Sequence, residues 1–411
     1  MALWKKLSHE EICQRVFKAL GQTIDFQKTP PLGLPASRLD EKVFYNNPLI
    51  LKDAPFLSSL IQNPNHIGCH TLGESEPFFR GTQQIEKEVI RICAEDILNG
   101  DPEQQDGYIA SGGTEANIQA MWIYRNLFIR EFGARPEEIR IVTSSDAHYS
   151  MHKASNLLGI GNVSLAVDEH DRTIQVELMR EQLEGLKKEG VRYLIGVANM
   201  MTTMFGSVDD VHTLSENFKD LGFTYRIHVD GAYGGFAFPF FSEVRSNTFS
   251  NPEVSSITLD AHKMVQAPYG TGIFLCRKGL INYVYTQEAQ YVAGLDATLS
   301  GSRSGANAIA VWMILQTYGP HGWKEKIHLL SYRGNWLAEQ LNELGVRYYR
   351  YPKSNILTLD AKQIPESLAE KFGLVPDSHG EHARWYKIVI MDHVTIDNLL
   401  PFVNELKNAI L

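Results

Sequence analysis

The chain has 411 residues, with 39 lysines and arginines against 48 aspartates and glutamates, giving a formal charge of −9. Hydrophobic residues make 44% and charged residues 21%, an ordinary globular composition with chain enough for two or more domains. An acidic chain with no basic stretch argues against a nucleic-acid partner, and no apolar run approaches the roughly 18 residues of a membrane span. The opening MALWKKLSHEEICQRVFKAL carries charges where a signal peptide needs its apolar run. Four cysteines, Cys13, Cys69, Cys93 and Cys276, are too few and too scattered for a disulfide framework, so the expected compartment is the cytoplasm.

Residues 1–60 read as one amphipathic helix followed by an irregular arm punctuated by Pro30, Pro31, Pro35, Pro48 and Pro55. TQQIEKEVIRICAEDILNG is helical, with Ile85, Val89, Ile92 and Ile97 at helical spacing and Gly100 as a stop. Residues 139–143, 193–198, 226–230, 256–259 and 272–276 are short, apolar and rich in β-formers, and helical stretches at 176–188 and 209–221 separate some of them. Strands alternating with helices predict an α/β fold: a large, mostly parallel sheet with helices on both faces. The last third differs. Helices at about 305–318 and 323–344 lead to the strand candidates RYYRYP, ILTLD and WYKIVIM and a final helix near 395–410. A smaller C-terminal α+β domain is expected over 321–411, after a large domain over 61–320, with the boundary at Gly319-Pro320.

Four segments carry chemistry. In SGGTEAN, Gly112 and Gly113 permit close backbone approach, and Ser111 and Thr114 add hydroxyls at the start of a long helix. That pattern makes a phosphate cradle, although Gly-Gly-Thr also makes a good turn and cap. SDAHYSMHKA follows a strand and places His148 near its end; a lone histidine there is more often structural. HVDGAYGGF ends a strand on Asp230, at the edge where parallel sheets bind ligands, or simply where an acid caps a turn. TLDAHKM runs from a buried strand into Asp260, His262 and Lys263; a desolvated lysine there is a Schiff-base candidate, against the plain alternative of a surface loop lysine. A phosphate cradle, a ring-stacking histidine, an acid and a lysine, in that order, suit pyridoxal phosphate, which needs a phosphate site, a covalent lysine and an acid for its ring nitrogen.

Together with TLSGSRSGA, these motifs resemble the group II pyridoxal-phosphate-dependent amino-acid decarboxylases, of aspartate aminotransferase-like fold type I. The likeness runs from about residue 65 to about residue 400 and is strongest to the short tyrosine/aspartate decarboxylase branch, with sphingosine-phosphate lyase as a relative. It implies that Lys263 forms the Schiff base, Asp230 pairs with the ring nitrogen, Ala232 lies on one ring face and His148 on the other. Gly113 and Thr114, with Ser111, Gly112 and His262 nearby, would hold the phosphate, and Thr202 would lie beside the cofactor. Ser302 resembles a residue donated across a dimer interface, implying a homodimer with shared sites. His66 and His70, in HIGCHT, match an arm that approaches the partner's pocket. The family's glycine is replaced by Met201, and its carboxylate-gripping arginine by Lys387, with Arg384 three residues earlier as the other candidate. A lysine offers a point charge where arginine offers a bidentate fork.

The reaction so implied is removal of the α-carboxylate of an L-amino acid, with selection over transamination by orientation of the breaking bond. Tyr291 is the candidate proton donor, although neighbouring Tyr283 and Tyr285 show that tyrosines here also simply pack. The substrate leans to aspartate or tyrosine by resemblance; Arg80 would suit an acidic side chain, Phe78 an aromatic one. A carbon–carbon lyase, an aminotransferase and a catalytically inactive binding protein on the same fold are the competing readings. GIGNVS is rejected as a dinucleotide fingerprint because Ser164 stands where the third glycine belongs. His66, Cys69 and His70, and His379 with His382, have metal-like spacing but no second pair at zinc-finger distance, so no metal is expected. Cys93 and Cys276 read as inert core residues.

Overall fold

The computed structural model describes residues 80–286, 295–380 and 382–410, together with Leu32, Gly33, Asp40, Lys42, Asn65 and His66. Apart from Leu32, Gly33, Asp40 and Lys42, the expected N-terminal helix and arm lie outside the described residues. The two-residue strand β1 (Asn65–His66) precedes β2 (Gln105–Ala110), β3 (Ile139–Ser144), β4 (Gly161–Leu165), β5 (Tyr193–Asn199), β6 (Thr224–Asp230), β7 (Val254–Asp260) and β8 (Gly272–Arg277). Strands β2 to β8 form one seven-stranded sheet in the order β2-β8-β7-β6-β5-β3-β4. All pairs from β7 across to β4 are parallel, and β8 runs antiparallel between β2 and β7.

The apolar runs form the centre of this sheet because both faces are covered. Every residue of β5 and of β7 is buried. Along β5, Leu194 and Ala198 join a core that includes Met179 and Leu183 of α4 (Val176–Lys188) and Leu214 and Phe218 of α5 (Val211–Asp220). Ile195 and Val197, on the opposite face, join Met121, Tyr124 and Phe128 of α2 (Gly113–Phe132) and Met151 of α3 (Ser150–Leu158). The predicted helix after residue 80 is α1 (Arg80–Arg91), followed by a π-helical stretch over Ile92–Ile97. Cys93 and Cys276 are buried and free, and burial pushes both thiols up in pKa, as suits core residues. GIGNVS, set aside as a nucleotide motif, overlaps edge strand β4.

Beyond β9 (Arg303–Ser304), the helical segment α6 (Gly305–Glu343) breaks at Gly319, whose φ of 60° and ψ of 177° no helix accommodates, before Pro320. We propose this break as the boundary between the large and small domains. The small sheet is antiparallel, in the order β10-β11-β13-β12, from β10 (Tyr348–Tyr349), β11 (Ile356–Asp360), β12 (Val375–Pro376) and β13 (Trp385–Val389). Helices α7 (Glu366–Lys371) and α8 (Ile396–Ile410) complete it, with Leu399, Phe402 and Leu406 buried.

One buried ion pair ties three elements together. Glu86 of α1, fully buried, pairs with Arg303 of β9 and accepts the backbone N–H of Ile109 in β2 at 2.7 Å. Arg303 also donates to the Ile109 carbonyl at 3.1 Å. Arg303→Ala would leave Glu86 buried without its cation, and such losses cost about 3–5 kcal/mol. The thermal midpoint is therefore expected to fall sharply in Arg303→Ala and to recover part of the loss in the double variant with Glu86→Gln.

Candidate active site

The carboxyl ends of the parallel strands converge on a cleft of about 490 Å³. Asp230 is the last residue of β6 and Asp260 the last of β7; Asn199 ends β5, and Ser111 follows β2. This is where the ends of parallel strands leave backbone and side chains free to meet a ligand. Ser111, Gly112, Gly113, Thr114, His148, Thr202, Asp230, Ala232, His262 and Lys263 all line this one cleft, so segments as much as 152 residues apart (263 − 111) come together.

Lys263 lies one turn past β7, where its N–H bonds the Asp260 carbonyl at 3.1 Å. Its Nζ is 3.8 Å from Asp260 Oδ2, and the side chain is about one-quarter exposed. Asp230 is 7% exposed. Its Oδ1 accepts the Ala232 N–H at 3.1 Å and its Oδ2 accepts from Asn117 Nδ2 at 2.8 Å. No ion pair reaches Asp230 among the described residues, so a buried carboxylate faces the cleft without a protein cation. His148 sits between β3 and α3, with Nδ1 3.0 Å from Ser150 Oγ and its ring 4.0 Å from that of Tyr149. Burial lowers its pKa, so the imidazole is neutral near pH 7.

The glycine-rich turn opens α2 as expected, with two refinements. The Ser111 hydroxyl donates to Glu115 at 2.5 Å and its N–H to the same carboxylate at 2.9 Å, so both Ser111 donors are taken up by a residue of α2. The Gly113 N–H goes to Asp260 Oδ2 at 3.1 Å. Thr114 is the cradle hydroxyl with no hydrogen-bond partner among the described residues. Asp260 Oδ1 and His262 Nδ1 approach to 2.9 Å without hydrogen-bond geometry, which leaves both buried atoms unsatisfied.

Thr202 is buried, and its hydroxyl meets Ser207 Oγ at 2.7 Å, closing a tight turn. Met201 before it has a φ of 69°, in the left-handed region that favours glycine, and its side chain is 97% covered while lining the cleft. The turn fits because position 234 is glycine: a Cβ there would lie 2.1 Å from the Met200 carbonyl oxygen.

The two carboxylate candidates part company. Lys387 lies inside β13, is 4% exposed, and donates to the Thr203 carbonyl at 3.0 Å. Thr203 lines both the cleft and an adjoining cavity of about 520 Å³ that Lys387 also lines. Arg384 precedes the strand; its side chain is 80% exposed and turned to Asp377 at 3.5 Å. Burial, and then the nearby Lys263 charge, lower the Lys387 pKa to about 8. Ser302 is exposed and does not line the cleft. The next residue, Arg303, pairs with His66 across β1 and β9, bringing the arm segment beside GSRSG. His70 and Tyr291 lie outside the described residues, as does the side chain of Arg80.

Sequence reasoning missed Asn117, Asn199, Tyr233 and Tyr149, all of which line the cleft. Asn117 carried a signal: it stands four residues after Gly113, hence on the same face of α2 as the cradle.

Residues 83–349 match the pyridoxal-dependent decarboxylase conserved domain. The chain is 47% identical over 407 residues to a tryptophan decarboxylase of Clostridium sporogenes, covering 99% of this chain and 98% of that one. It is 30% identical to an L-aspartate/L-glutamate decarboxylase of Pyrococcus horikoshii, over 93% of this chain and 100% of the relative. Among solved structures, the L-methionine decarboxylase of Streptomyces sp. 590 superposes with a TM-score of 0.78 at 19% identity, over 99% and 96% of the two chains. The glutamate decarboxylase of Lactobacillus brevis gives 0.78 at 17%, over 100% and 94%. The chain belongs to the pyridoxal-dependent decarboxylases: it is a carboxy-lyase of fold type I that uses pyridoxal 5'-phosphate.

The cleft fits that cofactor on its own terms. It offers a lysine amine, a buried acid with no cation partner among the described residues, a neutral imidazole and a helix start with a spare hydroxyl, all lining one cavity. Lys263→Ala is expected to abolish both turnover and the visible absorbance of protein-bound cofactor, read by spectrophotometry after reconstitution and desalting. Retention of either would move the covalent attachment to another residue.

Proposed function

We propose that this decarboxylase acts on a large aromatic L-amino acid, tryptophan foremost, giving the corresponding arylethylamine and carbon dioxide. The observation that carries this reading is 47% identity, along nearly the whole of both chains, to a protein named tryptophan decarboxylase. It replaces the sequence lean towards aspartate or tyrosine. The cleft lining supports it. Among the described residues, Lys263 is the one lysine or arginine that lines the cleft. Ile118, Tyr149, Met201, Tyr233 and Leu299 supply apolar and aromatic surface instead.

The positions of the lining residues support the following roles. Lys263 would hold the cofactor covalently, and Thr114 and His262 would hold its phosphate, with Gly113 allowing the close backbone approach. Asp230, a carboxylate that only accepts hydrogen bonds, keeps a proton on the ring nitrogen. Ala232 and His148 bound the two ring faces. Pyridoxal phosphate, when bound, supplies the electron sink for the pair left behind as the Cα–carboxylate bond breaks. Lys387 holds the substrate α-carboxylate; its position on the small-domain sheet fixes where that group stands and hence which bond breaks. Buried Lys387 fits this task better than exposed Arg384. Ser302 and the His66 segment contribute to a site completed in a homodimer.

Incubation of the reconstituted protein with each of the twenty amino acids, followed by mass spectrometry, is expected to give tryptamine as the dominant amine. Its kcat/KM should exceed that for aspartate by on the order of 10²-fold or more, the scale on which pockets reject a mismatched polar group. Dominant β-alanine or tyramine would sink the assignment to tryptophan. The pH dependence tests Lys387 separately. Its charged form grips a carboxylate, and that form is lost as pH rises through about 8. KM is therefore expected to climb above pH 8 in the wild type and to stay flat in Lys387→Arg, which keeps its charge. Damage from Arg384→Ala and none from Lys387→Ala would transfer the role to Arg384.

A further inference from the structure

Buried polar side chains disclose where protons sit, because each donor in a dry interior needs an acceptor. Asn117, 1% exposed on α2, touches three polar groups. Its amide nitrogen is 2.8 Å from Asp230 Oδ2 and 3.0 Å from Ser150 Oγ, and its amide oxygen is 2.9 Å from His228 Nε2. The opposite amide orientation would set oxygen against a carboxylate oxygen, so the nitrogen faces Asp230. The oxygen then requires a proton on His228 Nε2.

His228 is fully buried, and burial lowers its pKa to about 4, so the ring is neutral and its Nδ1 accepts. Ser256 donates to that Nδ1 at 2.7 Å, and Tyr124 donates to Ser256 at 2.5 Å. Thr258 Oγ1, 3.3 Å from Nε2, is a second, longer acceptor. Every strong bond therefore donates in one direction, from Tyr124 through Ser256, His228 and Asn117 to Asp230. The other amide hydrogen of Asn117 goes to Ser150 Oγ. That leaves the Ser150 hydroxyl hydrogen for His148 Nδ1 at 3.0 Å, which the Ser150 backbone N–H also approaches at 3.3 Å. A neutral His148 with an accepting Nδ1 carries its proton on Nε2.

We propose that Asn117 is a positioning residue that sets two protonation states at once: Asp230 as a carboxylate facing the cofactor's ring nitrogen, and His148 as the Nε2–H tautomer. The inference rests on the assignment of Asp230 to that nitrogen. Without Asn117, Asp230 keeps only the Ala232 N–H, and a buried carboxylate short of donors gains proton affinity. It would then compete with the ring nitrogen for the proton they share.

The test reconstitutes the holoenzyme with pyridoxal phosphate labelled with ¹⁵N at the ring nitrogen and records that resonance by solid-state NMR near pH 7. In Asn117→Leu the resonance is expected to move from the protonated towards the unprotonated position. Its kcat should fall on the order of ten- to a hundredfold with KM changed less than about threefold, the range for losing a hydrogen bond to a charged group. Because Asn117 is buried, His228→Leu and His228→Gln are measured alongside, with circular dichroism to verify folding. His228→Leu removes the donor that orients Asn117 and should move the resonance the same way; His228→Gln restores an N–H near Nε2 and should return it. An unmoved resonance in folded Asn117→Leu and His228→Leu, with a moved one in Asp230→Ala, overturns the role of Asn117 alone. An unmoved resonance in cofactor-loaded Asp230→Ala overturns the assignment of Asp230 itself.

Discussion

A carboxylate without a cation stands at the buried end of a central strand, and the surrounding architecture answers that constraint. Asp230 is 93% covered, and among the described residues no lysine or arginine pairs with it. A charge so placed is expensive unless hydrogen bonds or a ligand cation satisfy it. Parallel strand β6 delivers it to the sheet edge, α2 brings Asn117 across from a different crossover, and the turn after β6 adds one backbone N–H. The remaining acceptor capacity points into the cleft. In the proposed assignment, binding and folding meet at one residue: the cofactor's ring nitrogen would complete the electrostatics of this part of the core.

The large sheet was legible because its central strands are covered on both faces and so read as short apolar runs; β3, β5, β7 and β8 lie within two residues of their predicted bounds. Edge strand β4 was not, since Asn162 and Ser164 interrupt it and four of its five residues are partly or fully exposed. Helix α3, expected as the helix that precedes GIGNVS, buries only Ser150, Met151 and Ala154 of its nine residues, so its bounds carried no periodic stripe. The cleft-lining motifs were legible because each sits at a strand end in sequence. Asn117 and His228 were harder, because neither is unusual by type; what makes them matter is a contact spanning 111 residues that only folding creates.

Lys387 and Arg384, three residues apart in sequence, are placed very differently by strand β13. Arg384 lies just before β13 and turns to Asp377 at the surface. Lys387 lies mid-strand, paired with Thr358 on one side and Val375 on the other, and its ammonium reaches the Thr203 carbonyl of the large domain. One of its three donors is thus used on the turn that follows β5, and two remain.

Met201 has a consequence for how such an enzyme can be improved. A non-glycine residue in the left-handed region costs on the order of 1 kcal/mol or more, and that cost persists here beside a glycine whose missing side chain makes room for the turn. The side chain so held forms part of the cleft wall. Selection for heat resistance alone would favour glycine at this position and remove that wall in the same step. Robustness and pocket shape are thus traded against each other at a single dihedral angle, and a stabilised variant should be screened on substrate choice before it is screened on rate.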